Sequence, residues 1–315
     1  GSLMTLGRPV YLVGTTGMPN YGDELIARLW LRSLAAIAPR TPVWLDCPNP
    51  GIAATLFAGD HPNLRCTDTL WRTAWQIGER SVEESLATAE RFVTALGTPR
   101  SDVGLSLLSG IASMHLIGGG YINSMWSVNC LIPALAAASA RQHGHRLFGT
   151  GLGVMPQTEH TAAILEYALG AFEFGQSRDA SAAIVPGLST GPDDALLAFH
   201  PRLRRSWPDQ DAAAVPRFML LVQGDMQESP ETRSEVLEVA LGEARRAGWD
   251  AGPLGVVEAL PPDDFWMRDE LEARGLDVLW YPFQSLWERG VPVQSGQYWV
   301  VTRFHFHLLL AGSGI

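Results

Sequence analysis
The chain has 315 residues, 46% of them hydrophobic, 11 Trp and a formal net charge of -10. That length and apolar content suffice for a large core and suggest two domains, while an acidic balance with no basic stripe argues against a nucleic-acid-binding protein. All 23 basic residues are Arg, so Schiff-base catalysis, a pyridoxal phosphate lysine and a P-loop lysine are excluded as well.

Gly1-Ser2-Leu3 ahead of Met4 reads as a cloning scar. The start of the chain shows no signal peptide, and no run approaches 18 apolar residues, which predicts a soluble cytoplasmic protein without a transmembrane segment. Pro9 to Gly14 reads as a short buried strand. A Gly-rich loop follows, with Gly14, Gly17 and Gly22, and then a helix starting near Asn20 or Gly22. Asp23 and Glu24 fall in its first turn, where the helix dipole favours negative charge. Strand, Gly-rich loop and helix open a Rossmann-like unit, although the loop lacks the GxGxxG spacing of a dinucleotide site. Thr41 to Leu45 reads as a second strand. Cys47, Cys66 and Cys130 are odd in number and unclustered, which fits a reducing compartment and no metal spacing. Residues 67–112 read as mostly helical, around Trp71, Trp75, Leu86, Phe92 and Leu96.

Met114 to Ile117 reads as another buried strand, running into Gly118-Gly119-Gly120-Tyr121. Three glycines there let backbone come close to a ligand or a neighbouring helix. A helix is expected from about Ser124 to His143, a strand over Arg146 to Thr150, and a strand over Phe172 to Gly175. The last runs into Gln176-Ser177-Arg178-Asp179, with Ser177 placed to cap a following helix. Asp193-Asp194 lies near one more strand end and reads as structural. The polar, Pro-bounded stretch 201–216 reads as a linker between an N-terminal domain over 4–200 and a C-terminal domain over 217–315. In the second domain strands are expected at Phe218–Val222, Ala251–Val257, Asp277–Tyr281 and Trp299–Val301. Helices are expected at Glu231–Ala247, Asp263–Arg274 and Ser285–Arg289. Alternating strands and helices mean parallel sheets. The predicted fold class is therefore α/β, with two Rossmann-like domains and a ligand cleft between them. The apolar run Leu308 to Ala311 ends at Ile315 as an unfinished helix, which predicts that the C-terminal domain continues.

Chemistry concentrates where the last strand ends. Arg303, His305 and His307 lie within five residues, a cationic group at a strand-to-helix turn and so a ready site for an anion. Arg178 sits at a strand end in the other half. No H-x-x-H, Cys pair, Asp-rich loop or DxD appears, so no metal site is expected.

The strand-end segments NYGDELI, GGGYIN, GTGLGVMP, SRDASA, DDAL and TRFHFH, in that order, resemble the polysaccharide pyruvyl transferase family. The likeness runs from about residue 10 to the end of the chain. Asn20, Gly22, Asp23 and Glu24, with Arg303 and His305, carry it most specifically. It implies two Rossmann-like domains similar to GT-B glycosyltransferases. It also implies transfer of a pyruvyl group from phosphoenolpyruvate to a sugar, usually as a cyclic ketal, in bacterial exopolysaccharide or cell-envelope synthesis. Phosphoenolpyruvate would be the donor substrate, with no cofactor. The acceptor would be a sugar, lipid-linked or free, reached in the cytoplasm or at the inner face of the membrane. On this resemblance Arg178 and Arg303 would hold the phosphate and carboxylate of the donor. His305, or His307 beside it, would move protons. Asn20, Asp23, Glu24, Gly119 and Gly120 would line the acceptor or its loops. His307 departs from the small residue found in many relatives. Two other readings compete: a GT-B glycosyltransferase using a nucleotide sugar, and a sugar-binding relative without turnover. Acceptor, ketal stereochemistry and oligomeric state lie outside the sequence.

Overall fold
The computed structural model describes residues 7–95, 99–179, 185–212, 214–224 and 229–315. It contains two compact units. The first comprises Gly1–Met18 and Ile26–Asp194, the second Pro19–Leu25 and Ala195–Ile315. The α/β class with two Rossmann-like parallel sheets holds in both.

The first unit is built on a seven-stranded sheet. Its strands are β1 (Val10–Val13), β2 (Val43–Asp46), β3 (Leu64–Thr67), β4 (Ser113–Leu116), β5 (Arg146–Leu152), β6 (Phe174–Ser177) and β7 (Ser189–Thr190). They lie in the order β3-β2-β1-β4-β5-β6-β7, all parallel. The order reverses between β1 and β4, so the loops after these two strands flank the point where such sheets open to a ligand. Helices α1 (Tyr21–Ile37), α2 (Pro50–Leu56), α3 (Thr69–Ile77), α4 (Val82–Ala95), α5 (Pro99–Ser106), α6 (Leu131–His143) and α7 (Glu159–Leu169) connect them. Residues Leu131 to Ser139 of α6 are all buried, and α6 packs against α4 and α7. Its run of alanines lets those neighbours come close without leaving voids.

The helix expected from Ser124 differs in one respect. Ser124–Cys130 is a 3-10 stretch kinked at Trp126, and the α-helix begins only at Leu131. Pro133 explains this. Its ring clashes with the carbonyl four residues back and it has no N–H, so it fits only in the first turn of a helix. The strand β3, the short β7 and the helix α2 carried no clear pattern in the sequence. The helix expected after Ser177 falls on residues 180–184, outside the described residues.

The second unit repeats the plan on a smaller scale. Strands β8 (Phe218–Leu221), β9 (Leu254–Val257), β10 (Val278–Tyr281) and β11 (Tyr298–Val301) form a parallel sheet in the order β10-β9-β8-β11. Here the order reverses between β8 and β11. Helices α8 (Pro230–Arg246), α9 (Trp266–Ala273), α10 (Phe283–Arg289) and α11 (Phe304–Gly312) alternate with the strands. β8 and β9, at the centre, are buried along their whole length. Of the stretch expected as a linker, residues 201–212 belong to this unit. Leu203 and Trp207 are buried, and the Trp207 carbonyl accepts a hydrogen bond from Val291 N at 2.8 Å.

Candidate functional site
In the second unit the two segments that carry the resemblance meet. The first residues of α1 are seated there by Tyr21. Its backbone N–H donates to the Ala259 carbonyl at 3.0 Å. Its ring stands 5.0 Å from Phe306 and edge-on to Phe283 and Trp287 at 6.4 and 6.1 Å. These aromatic contacts bring Gly22 against the first turn of α11. A Cβ at position 22 would lie 2.3 Å from His305 Nδ1, so the imidazole occupies the room that glycine leaves. Asn20 and Asp23 are half-buried beside this contact. Glu24 is fully buried, and its carboxylate accepts from the Asn20 backbone N–H at 2.8 Å. That contact ties the residue preceding α1 back to the first turn of the helix, as the acidic member of a capping box does. His307, two residues beyond His305, is exposed.

Arg303 precedes α11 and directs its guanidinium at Asp264. Nε donates to Oδ2 at 3.0 Å and Nη2 to Oδ1 at 2.6 Å, a two-pronged contact between planar groups. Asp264 was read from the sequence only as part of a helix start. Nothing in its local pattern announces a partner 39 residues away, although a Pro-Pro-Asp-Asp turn is a place where a carboxylate is held rigidly. Glu258, just past β9, is buried and accepts from Phe283 N at 3.1 Å. Burial raises its pKa, the Phe283 hydrogen bond opposes that, and the Asp264 charge adds to it.

In the first unit the other strand-end motifs gather. Gly118, past β4, donates its N–H to Asp194 Oδ2 at 2.7 Å. The same oxygen accepts from Trp30 Nε1 at 2.8 Å and Thr150 Oγ1 at 2.9 Å. Burial raises the Asp194 pKa, against the pull of those three donors. Gly151, with φ of 57°, leaves no room for a side chain: a Cβ would lie 2.5 Å from Asp194 Oδ1. Arg178, past β6, pairs with buried Asp193 at 3.0 Å. Its guanidinium lies over Gly153 and Gly120, where a Cβ would come within 2.9 and 3.3 Å of it. Asp179 Oδ2 accepts from Val154 N and Met155 N at 3.2 and 3.4 Å, which fixes the turn that presents Arg178. The GGG, GTGLG, SRD and DD segments are thus parts of one polar cluster. Asp179, Asp193 and Asp194 are carboxylates of this cluster, and the last two hold Arg178 and the Gly118 N–H in place.

The site residues therefore fall into two groups. Asn20, Asp23, Glu24, Arg303, His305 and His307 belong to the second unit, and Arg178, Gly119 and Gly120 to the first. Among the described residues no group of His, Cys, Asp or Glu is arranged to hold a metal ion. Nor, among them, is any helix long and apolar enough to cross a membrane.

No protein-family model matches the chain, and no curated protein matches it. Two solved structures are similar at the level of the backbone. One is a Listeria monocytogenes protein designated a UDP-N-acetylglucosamine 2-epimerase, at 11% identity and a TM-score of 0.46, over 87% of this chain and 69% of that one. The other is the apo form of the lipopolysaccharide outer core galactosyltransferase WaaB, at 10% identity and a TM-score of 0.35, over 88% of this chain and 68% of that one. At these scores neither likeness bears on chemistry, which rests on the side chains of this chain.

Proposed function
We propose that the protein transfers a pyruvyl group from phosphoenolpyruvate to a sugar, forming a cyclic ketal. One observation carries this reading: the Asn20-to-Glu24 segment and the Arg303/His305 segment come together within the second unit through the Gly22–His305 contact. The Tyr21 aromatic contacts seat the first segment beside the second, and that adjacency supports reading the two as parts of one site.

In the proposed reaction two acceptor hydroxyls add to C2 of the enolpyruvyl group and the C2–O bond to phosphate breaks. Of the two hydroxyl protons, one ends on C3, making a methyl group, and one on the released phosphate. Arg303 meets one of the two anionic groups of the donor. A guanidinium suits either, because phosphate and carboxylate both accept two parallel N–H bonds. His305 carries protons between hydroxyl, C3 and leaving group, the task for which an imidazole is suited near neutral pH. Asn20 and Asp23 contact the acceptor.

The test is release of inorganic phosphate from phosphoenolpyruvate across a panel of sugars, beside thermal-shift measurements with phosphoenolpyruvate and with nucleotide sugars. Acceptor-dependent phosphate release supports the reading. Stabilisation by a nucleotide sugar and none by phosphoenolpyruvate replaces it with glycosyl transfer. Binding of phosphoenolpyruvate without turnover on any sugar leaves a sugar-binding relative.

A further inference from the structure
Asp264 is one of the most enclosed carboxylates of the chain, with a side chain 0% exposed, against 11% for its partner Arg303. Besides the two guanidinium N–H groups it accepts from the backbone N–H groups of Gly224 at 3.1 Å, Ala259 at 3.1 Å and Leu260 at 3.0 Å. Gly224 follows β8, Ala259 and Leu260 follow β9, and Arg303 follows β11. One carboxylate therefore ties together the ends of three adjacent strands, at the place where the strand order of the second sheet reverses. Gly224 itself admits no side chain, since a Cβ there would lie 1.6 Å from the Asp263 carbonyl oxygen.

A buried ion pair is a poor source of stability, because desolvation of both charges offsets most of their attraction. Its value here is placement. We propose that Asp264 is the positioning residue for anion binding by Arg303: it fixes the plane of the guanidinium at the reversal point of the second sheet. An anion then meets an arginine whose rotamers are already ordered, and the ordering cost is removed from binding. The proposal takes from the pyruvyl-transfer reading only the identity of the anion.

The experiment compares the full chain with its Asp264→Asn, Asp264→Glu, Arg303→Lys and Asp264→Asn/Arg303→Lys variants. Phosphoenolpyruvate and, separately, inorganic phosphate are titrated by calorimetry, and KM and kcat are measured with an accepting sugar. Asp264→Asn is expected to weaken phosphoenolpyruvate binding at least ten-fold, with KM rising by a larger factor than kcat falls. Asp264→Glu, which keeps the charge, recovers part of the loss. The double variant loses less than the product of the single losses, because both act through one guanidinium. Unchanged binding by a folded Asp264→Asn variant, or losses that multiply in the double variant, overturns the proposal and leaves pyruvyl transfer standing. If the unsubstituted protein neither binds nor turns over phosphoenolpyruvate, the pyruvyl-transfer reading fails. Positioning is then decided on inorganic phosphate: binding that depends on both Arg303 and Asp264 sustains it, and its absence overturns it. Should the Asp264 variants not fold, nitrogen-15 spectra of the unsubstituted protein decide. The Arg303 Nε–H signal, identified by its loss in Arg303→Lys, is expected to be a single sharp resonance without ligand. A signal that sharpens only on adding phosphoenolpyruvate overturns the proposal.

Discussion
At position 22 the side chain is a single hydrogen, and the space it leaves is filled by His305. Gly22→Ala should therefore push the imidazole away. Turnover is expected to fall at least ten-fold, while the unfolding temperature drops by the few degrees that overpacking worth about 1–3 kcal/mol produces. Two residues apart in the chain, binding and proton transfer can be separated. Arg303→Lys keeps the charge but loses the planar fork, and the expected loss is in affinity for phosphoenolpyruvate, roughly 1–3 kcal/mol. His305→Gln should lower turnover on the order of 10²–10⁴-fold, the usual worth of acid–base help, with a smaller change in affinity. Phosphate release and calorimetry on both variants check this, and full turnover in His305→Gln would transfer the role to His307. His115 offers a pH signature. Its Nε2 meets Thr150 Oγ1 at 2.8 Å, and because that hydroxyl donates to Asp194, Nε2 is the donor and carries a proton. Burial lowers its pKa to about 4. The unfolded chain binds a proton near pH 6.5 that the folded state refuses, so stability is complete above that pH and is lost as pH falls toward 4. At full extent the effect is on the order of 3 kcal/mol. Asp46, raised to about 7 by burial, acts in the opposite direction. The measurement is therefore a difference: chemical unfolding between pH 4 and 7 should show a smaller acid-side loss in His115→Gln than in the unsubstituted protein.

The elements themselves were largely legible in the sequence, and the reasons are local. Strands β1, β8 and β9 are short apolar runs that follow Pro9, Pro216 and Pro253 closely, and central strands of parallel sheets have both faces covered; β4 shows through its buried Met114 and Leu116 ahead of the three glycines. β3 was not legible because it is an edge strand whose residues are only partly buried, so it needs no apolar run. The start of α6 depended on reading Pro133 as a first-turn residue. The start of α7 is set by Thr158, whose hydroxyl accepts from Thr161 N at 3.1 Å while Thr161 returns the contact. Thr158→Ala should cost about 1 kcal/mol, seen as a shift of the denaturant midpoint without a change in slope. The candidate site was half legible. Glycines after strands, Arg178, Arg303 and His305 stood out by residue type. Asp193 and Asp194 were visible as a pair at a strand end but not as partners of particular groups, and Asp264 did not stand out, because a carboxylate at a turn looks the same whether it faces water or a buried guanidinium.

At the scale of the whole chain, a protein with net charge -10 that bound a multiply charged anion would have to concentrate its positive charge locally, and its permanently charged side chains for doing so are all arginines. Arginine binds phosphate without a metal bridge, and the described residues include no grouping suited to a divalent ion. Phosphoenolpyruvate is therefore expected to bind with the same affinity in EDTA as in magnesium. Isothermal titration in the two buffers checks this, and binding that requires magnesium would refute it. One feature of the domain plan also reaches beyond the site. Pro19–Leu25 is a piece of the second unit, although it lies near the start of the chain. The second unit is thus not a continuous stretch of gene. During synthesis Tyr21 leaves the ribosome early and must wait for almost all of the remaining chain before Phe283, Trp287 and Phe306 exist to receive it. A fragment that starts at Ala195 lacks Tyr21 and would be born with that aromatic seat empty.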